Sequence, residues 1–311
     1  MCDGQYGPLF LPDAYVENTI VLTLKKLKTH FAESLKGLYP SEEIQSFFNI
    51  LSEKYLNLSR IEIALNPEKT VSETEAEKFQ KAILRLQNHE PVQYIIGETE
   101  FYGLPFKVNE HTLIPRPETE ELVEWIYIEF SNQQSTINNQ QFLDIGTGTG
   151  CIAISLAKNL SNAKVSALDI SEEALKIAQQ NAEMNKVKID FFQKDILAAE
   201  TLPKKYDVII SNPPYVRELE KKQMQQNVLK HEPESALYVS NEDPLLFYRA
   251  ISHLAKKHLN PEGKLFFEIN EYLADELTVL LEGEGFKNIQ VKKDIFGKDR
   301  MIKCSLNEPA K

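Results

Sequence analysis

From Phe142 to the end of the chain, short apolar runs recur at the spacing of strands. They fall at Phe142–Ile145, Val165–Asp169, Ile189–Phe192, Val208–Ser211, Leu265–Ile269, Ile289–Lys293 and Met301–Ser305. Helical patterns separate the first five. That alternation dictates an α/β fold, because parallel strands need crossover helices and those helices cover both faces of the sheet. The last two runs are divided only by Asp294 to Arg300, with Gly297 in the gap. A connection this short permits only antiparallel pairing, so an edge hairpin is expected. The expected architecture is a seven-stranded, mostly parallel sheet.

The N-terminal third reads differently. Ile44, Phe47, Phe48 and Leu51 repeat at i, i+3, i+4, i+7, and Ser72-Glu73-Thr74-Glu75 is a capping-box match ahead of Ala76, Phe79, Ile83 and Leu86. These imply a small helical bundle over about 21–90 whose apolar stripes are its own core. Residues 1–20 show no periodicity and read as a flexible leader or as sequence upstream of the true start. Residues 91–117 are β-prone and punctuated by Gly97, Gly103 and Pro105, which predicts a hairpin linker. Ser131 to Gln141 is a polar loop. The α/β domain then occupies 118–311.

At 311 residues with a net charge of -11, the chain lacks the basic balance of a protein that grips nucleic-acid phosphates. Its three cysteines, Cys2, Cys151 and Cys304, form no Cys-x-x-Cys pair, so neither a metal site nor a disulfide framework is expected. No apolar run is long enough to cross a membrane, and no signal peptide is evident. A cytoplasmic location follows as the expectation.

Two loops carry chemistry. Leu143-Asp144-Ile145-Gly146-Thr147-Gly148-Thr149-Gly150 ends one strand and opens a helix. Its G-x-G-x-G spacing is one residue short of the dinucleotide fingerprint, and Asp144 puts a negative charge where a pyrophosphate would lie. A neutral or cationic ligand is favoured over NAD. Asp169, nineteen residues after Gly150, ends the second strand where a carboxylate can accept both hydroxyls of a ribose. Asp195 and Ile196 follow the third strand, placed to accept from an adenine amino group and to pack on its ring. Singly, each acid is better explained as a helix cap or surface charge. Three at successive strand ends make a site.

The second loop is Asn212-Pro213-Pro214-Tyr215. Two prolines remove two N–H donors and fix two φ angles. What remains is a stiff loop rich in acceptors, suited to a substrate that presents an NH2 group. Pro-Pro alone would be no more than a rigid turn.

Together these residues resemble the class I S-adenosylmethionine-dependent methyltransferases, a Rossmann-like fold. Asn212–Tyr215 narrows the resemblance to those acting on amino groups. Pro91-Val92-Gln93-Tyr94-Ile95-Ile96-Gly97, Phe101-Tyr102-Gly103, Leu113 to Glu120 (Leu-Ile-Pro-Arg-Pro-Glu-Thr-Glu), Glu232 to Leu237 and Lys293 to Arg300 resemble the release-factor glutamine methyltransferases. The resemblance implies that Gly146, Thr147, Gly148, Thr149 and Gly150 cradle S-adenosylmethionine, with Asp144, Asp169, Asp195, Ile196 and Asn212 completing its site. It implies that Asn212, Pro213, Pro214 and Tyr215 receive a glutamine side chain, with Asn212, Pro213 and Tyr215 the catalytic set; Tyr215 reads equally as a ring beside the substrate's aliphatic arm or as a purely structural one. S-adenosylhomocysteine would be the second product, and no metal is expected. The implied partners are class 1 peptide chain release factors, with no stable nucleic-acid binding and no membrane. The helical N-terminal region is the expected recognition domain. Two departures stand out: Ile196 where the family often has an aromatic residue, and Asn270 where it often has glycine.

Two other amino substrates, adenine N6 and a glutamine of a ribosomal protein, would meet the same acceptors. The first usually calls for a basic recognition region, and the second usually lacks the full Arg-Pro-Glu-Thr-Glu run. A non-catalytic binding module would show damage in the glycine loop or at Asn212, and both are intact.

Overall fold

The computed structural model describes residues 22–131, 139–224 and 226–306. The expected leader at 1–20 and most of the expected polar loop (132–138) lie outside the described residues.

The chain divides into two compact units, 1–87 and 88–311. In the first, α1 (Leu24–Leu35), α2 (Ser41–Leu56), α3 (Arg60–Leu65) and α4 (Glu73–Gln87) bury Phe31, Phe48 and Phe79 completely or nearly so. Their rings meet edge-on or tilted, with centroids 5.5–6.2 Å apart, a geometry that adds about 1 kcal/mol per pair beyond area burial. The Ser72 capping box forms: Ser72 Oγ accepts from the Glu75 N–H, and Glu75 Oε2 accepts from the Ser72 N–H at 2.8 Å.

The second unit opens with α5 (Val92–Ile96), then a hairpin of β1 (Glu98–Phe101) and β2 (Leu104–Lys107). The expected β character of Val92 to Ile96 is corrected: this run is a one-turn helix. Pro91 begins it, and Gly97 ends it at φ 75°, donating to the Gln93 carbonyl. A mostly apolar run of five residues looks the same whether strand or helix, and the flanking Pro and Gly decide.

The remaining elements are α6 (Pro117–Ser131), β3 (Gln140–Ile145), α7 (Cys151–Asn159), β4 (Ala163–Asp169), α8 (Glu172–Asn185), β5 (Ile189–Gln193), β6 (Tyr206–Ser211), β7 (Val216–Arg217), α9 (Gln226–His231), α10 (Glu234–Leu237), β8 (Tyr238–Val239), α11 (Leu246–His258), β9 (Leu259–Glu268), α12 (Ala274–Gly283), β10 (Lys287–Lys293) and β11 (Asp299–Ser305). All seven expected strands join one sheet in the order β10-β11-β9-β6-β3-β4-β5. Only β11 runs antiparallel to its neighbours β9 and β10, so the edge hairpin is as expected. Gly297, at φ 79°, donates to the Asp294 carbonyl in its turn.

Period-2 alternation builds two cores. Phe142, Val165, Val208, Ile210, Phe266 and Met301 face α6 and α7, while Leu143, Leu168, Ile209, Leu265, Phe267 and Ile302 face α11 and α12. Each fully buried side chain of this size contributes roughly 1.5–3 kcal/mol. The strand order turns outward in both directions from the β3–β6 pair. That is a switch point, where the loops leaving adjacent strands diverge and open a crevice.

Candidate active site

Register brings the two chemical loops together. β3 and β6 pair in parallel with Ile145 opposite Ser211, and Ser211 Oγ donates to the Ile145 carbonyl at 2.7 Å. The next residues, Gly146 and Asn212, therefore leave the sheet side by side at the switch point. On the far side of β3, Leu168 pairs with Ile145, which sets Asp169 beside the glycine loop.

The loop turns on glycines at φ 74°, 53° and 81° (Gly146, Gly148, Gly150). Side chains rarely adopt these values. A Cβ on Gly150 would also come within 2.9 Å of Ile154 Cδ1 and 3.2 Å of Ala178 Cβ, so this glycine lets α7 and α8 close on the loop. At Gly146 and Gly148 a Cβ would meet nothing within 4 Å. Those two present bare backbone to an open face, a cradle that side chains would fill. Thr147 and Thr149 turn inward and are buried. Asp169 braces the turn: its Oδ2 accepts from the Gly148 N–H and its Oδ1 from the Ser171 N–H, both at 2.9 Å. Asn181, fully buried on α8, donates to the Thr149 carbonyl at 2.9 Å and exchanges two hydrogen bonds with the Lys107 backbone. An open, backbone-lined cradle with a carboxylate at its rim fits the nucleoside and sulfonium of S-adenosylmethionine.

Asp144 sits beneath the loop. It is 1% exposed, and its Oδ2 accepts from the Thr147 hydroxyl at 2.6 Å. Burial, aided by the charge of Asp169, pushes its carboxyl up to about 7, against the pull of the Thr147 hydroxyl and the Ala153 N–H. Between about pH 4 and 7 the folded chain holds a proton that the unfolded chain has released. Stability therefore falls as pH rises through that window. Asp144→Asn should flatten that part of the melting-temperature profile, and an unchanged slope would contradict this placement of the charge.

Asp195 is exposed, with Oδ1 accepting from the Leu197 N–H at 2.8 Å. Ile196 is 9% exposed and packs into the core on the α11 side.

In the second loop Asn212, Pro214 and Tyr215 are partly buried and Pro213 is buried. Asn212 Nδ2 donates to Thr119 Oγ1 at 3.3 Å, and the Thr119 hydroxyl donates to Glu268 Oε2 at 2.6 Å. The Tyr215 hydroxyl donates to Glu268 Oε1 at 3.0 Å. Burial and the Glu268 charge hold the Tyr215 phenol far above its usual range, so it stays protonated. Glu268 follows Phe267, which pairs with Ser211 across β9 and β6, so register sets this carboxylate beside Asn212. Asn270 donates to the Tyr215 carbonyl at 3.1 Å and to Glu220 Oε2 at 3.0 Å, tying down the chain that leaves the loop. Arg116 pairs with Glu232, whose other oxygen accepts from the Ile114 N–H at 3.2 Å.

Sequence reasoning brought the glycine loop, Asp169 and Asn212 into one place but passed over Thr119, Asn181 and Glu268. The strand-end rule that singled out Asp169 applies equally to Glu268.

Among the described residues no cluster of three or more histidine, cysteine or acidic side chains is placed to hold a metal ion, and no helix is long and apolar enough to cross a membrane.

Two family models match: the "Methyltransferase small domain" over residues 129–238, which spans both loops, and the "PrmC N-terminal domain" over 27–97. A release factor glutamine methyltransferase of Flavobacterium psychrophilum is 51% identical over 284 residues, covering 91% of this chain and 99% of that protein. One from Bacteroides thetaiotaomicron is 43% identical, covering 90% and 99%. Among solved structures, the hMettl16 catalytic domain in complex with a MAT2A 3'UTR hairpin matches with a TM-score of 0.53 at 16% identity, over 78% of this chain and 87% of that one, a likeness of fold. With its α/β sheet, its N-terminal helices and half its residues shared with a relative along nearly the whole length, this chain belongs to the release factor glutamine methyltransferase family.

Proposed function

We propose that this enzyme transfers a methyl group from S-adenosylmethionine to the side-chain amide nitrogen (N5) of the glutamine in the Gly-Gly-Gln motif of class 1 peptide chain release factors, and so modulates translation termination. The observation that carries this reading is the β3–β6 register. It sets an acceptor-rich loop next to an open glycine cradle in a chain 51% identical to a named release factor glutamine methyltransferase.

When bound, the cofactor supplies an electrophilic methyl on a sulfonium. The residues have the harder task, because an amide lone pair is conjugated with its carbonyl and is a poor nucleophile. In this reading Asn212 Oδ1 and the Pro213 carbonyl each accept one N–H of the substrate amide. They fix the nitrogen and turn its lone pair toward the cofactor side of the site. As the nitrogen gains positive charge both hydrogen bonds strengthen, which stabilises the transition state over the ground state. Glutamate would aim oxygen at two acceptors, and a site built for N–H groups rejects such an analogue by roughly 10⁴-fold. The Tyr215 ring packs beside the substrate's aliphatic arm. Gly146 to Gly150 present backbone to the cofactor, Asp169 takes its ribose hydroxyls, and Asp195 and Ile196 border its adenine.

The direct test is labelled S-adenosylmethionine with a class 1 release factor whose Gly-Gly-Gln glutamine is intact or changed to alanine. Label on the intact factor alone is expected. Equal labelling of both would overturn the assignment. We assign release-factor recognition to the helical unit before Asn88. Its removal should weaken affinity for whole release factor while cofactor binding persists, and unchanged affinity would count against that role.

A further inference from the structure

We propose that Glu268, acting through Thr119, fixes which end of the Asn212 amide faces the substrate. The inference rests on Asn212 being the acceptor for the substrate amide and explains how that polarity is set.

An asparagine side chain has nearly the same shape after a half-turn that exchanges its oxygen and nitrogen. Packing alone therefore does not choose between offering Oδ1 or the NH2 group to a substrate. The choice matters completely here, because an NH2 group facing the substrate NH2 would set donor against donor. Asymmetry must come from a neighbour that can bond in one sense only. An ionised carboxylate accepts and never donates. Glu268 is 1% exposed, and its two oxygens are met by two hydroxyls, Thr119 Oγ1 at 2.6 Å and Tyr215 Oη at 3.0 Å. Thr119, 2% exposed, has one hydroxyl proton, and Glu268 takes it. The threonine oxygen can then only accept. At 3.3 Å it accepts from Asn212 Nδ2, so Oδ1 is left at the opposite end of the planar amide.

The relay thus runs from a carboxylate at the end of β9, through the first turn of α6, to the loop after β6. Burial pushes the Glu268 carboxyl upward, while the Thr119 and Tyr215 hydroxyls and the Arg300 guanidinium favour its ionised form. The other titratable groups acting on it are Glu118 of α6 and, through their own couplings to its charge, Tyr248 of α11 and Cys151 of α7. Protonation would let Glu268 donate, free the Thr119 proton to turn toward Asn212, and remove the asymmetry. Glu268 and Thr119 are positioning residues that touch neither reacting group.

Glu268→Gln keeps the shape but gives the relay a donor. Thr119→Val keeps the shape but ends it, and Thr119→Ser restores it. With intact release factor, the first two variants should each lower kcat about 100-fold, the scale of a mis-set reacting group. KM for S-adenosylmethionine should stay near wild type, while the melting temperature falls in Thr119→Val, which leaves a buried carboxylate oxygen short of a donor. Thr119→Ser should recover most of the Thr119→Val loss. The acid limb of wild-type kcat should be absent from Glu268→Gln. Preference for a Gly-Gly-Gln over a Gly-Gly-Glu peptide, read as relative affinity in the presence of S-adenosylhomocysteine, should narrow about tenfold or more in that variant. Near-normal kcat in both Glu268→Gln and Thr119→Val, with Asn212→Ala inactive, would overturn the relay while leaving the acceptor role of Asn212 standing. An active Asn212→Ala would overturn both. If Glu268→Gln fails to fold, the Thr119 pair decides.

Discussion

Asn212→Ala is expected to lower methyl transfer to release factor by about 10³-fold while the protein folds and still binds its cofactor. The size follows from the role proposed for the residue. One of two hydrogen bonds that strengthen as the amide nitrogen gains charge is lost, and removing one such preorganised group costs about 10²–10³ in turnover. Lost positioning adds to it. Because the interaction grows in the transition state, the loss should appear in kcat and kcat/KM alike rather than in KM for release factor alone. Single-turnover transfer of labelled methyl, beside a cofactor titration and a melting curve, separates the cases. Turnover within a few-fold of wild type would end the acceptor reading. Asn212→Asp sharpens the result. It keeps an acceptor but offers Thr119 no donor and puts a second acid near Glu268, so it should also be impaired.

Asp169→Ala should show its effect in binding. This carboxylate accepts from the Gly148 and Ser171 N–H groups, so it shapes the loop, and in the proposed function it also offers oxygens to a ribose. A hydrogen bond to a charged group contributes about 1.5–3 kcal/mol. Loss of two ribose contacts with a loosened loop should weaken S-adenosylmethionine affinity by about 10²-fold or more, measured by calorimetry. Asp169→Asn should cost less, since one oxygen remains for the Gly148 N–H. Equal affinity for wild type and Asp169→Ala would remove Asp169 from the cofactor site.

Much of this was legible because it is local. The strands announce themselves as short apolar runs, as in Val208-Ile209-Ile210, whose side chains divide between the two cores. The glycine loop is legible because positive φ at Gly146, Gly148 and Gly150 demands glycine. Failures came where local pattern is degenerate or the partner is remote. Val92 to Ile96 sets four apolar residues around Gln93, too short a run to show a period. The front of β9 was missed: the expected strand begins at Leu265, yet it runs from Leu259 and takes in Pro261 and Gly263 beside a register shift against β6. Thr119 and Glu268 lie 149 residues apart, and neither has a local signal for the other. Asn270 read as a departure, and the structure gives it two specific bonds that a glycine could not make.

The pairing of Ile145 with Ser211 has a further consequence for how this chain tolerates changes of length. Gly146 and Asn212 each stand one residue beyond a hydrogen-bonded partner, and side chains reverse face with every residue along a strand. One residue inserted within β6 would move Asn212 out of step with Gly146 and send Val208, Ile209 and Ile210 to the wrong faces. The same insertion in the connection between β5 and β6, before Tyr206, would leave the pairing untouched. Variation in length should therefore collect in connections at the opposite edge of the sheet, where a change in chain length does not alter the separation of methyl donor and acceptor.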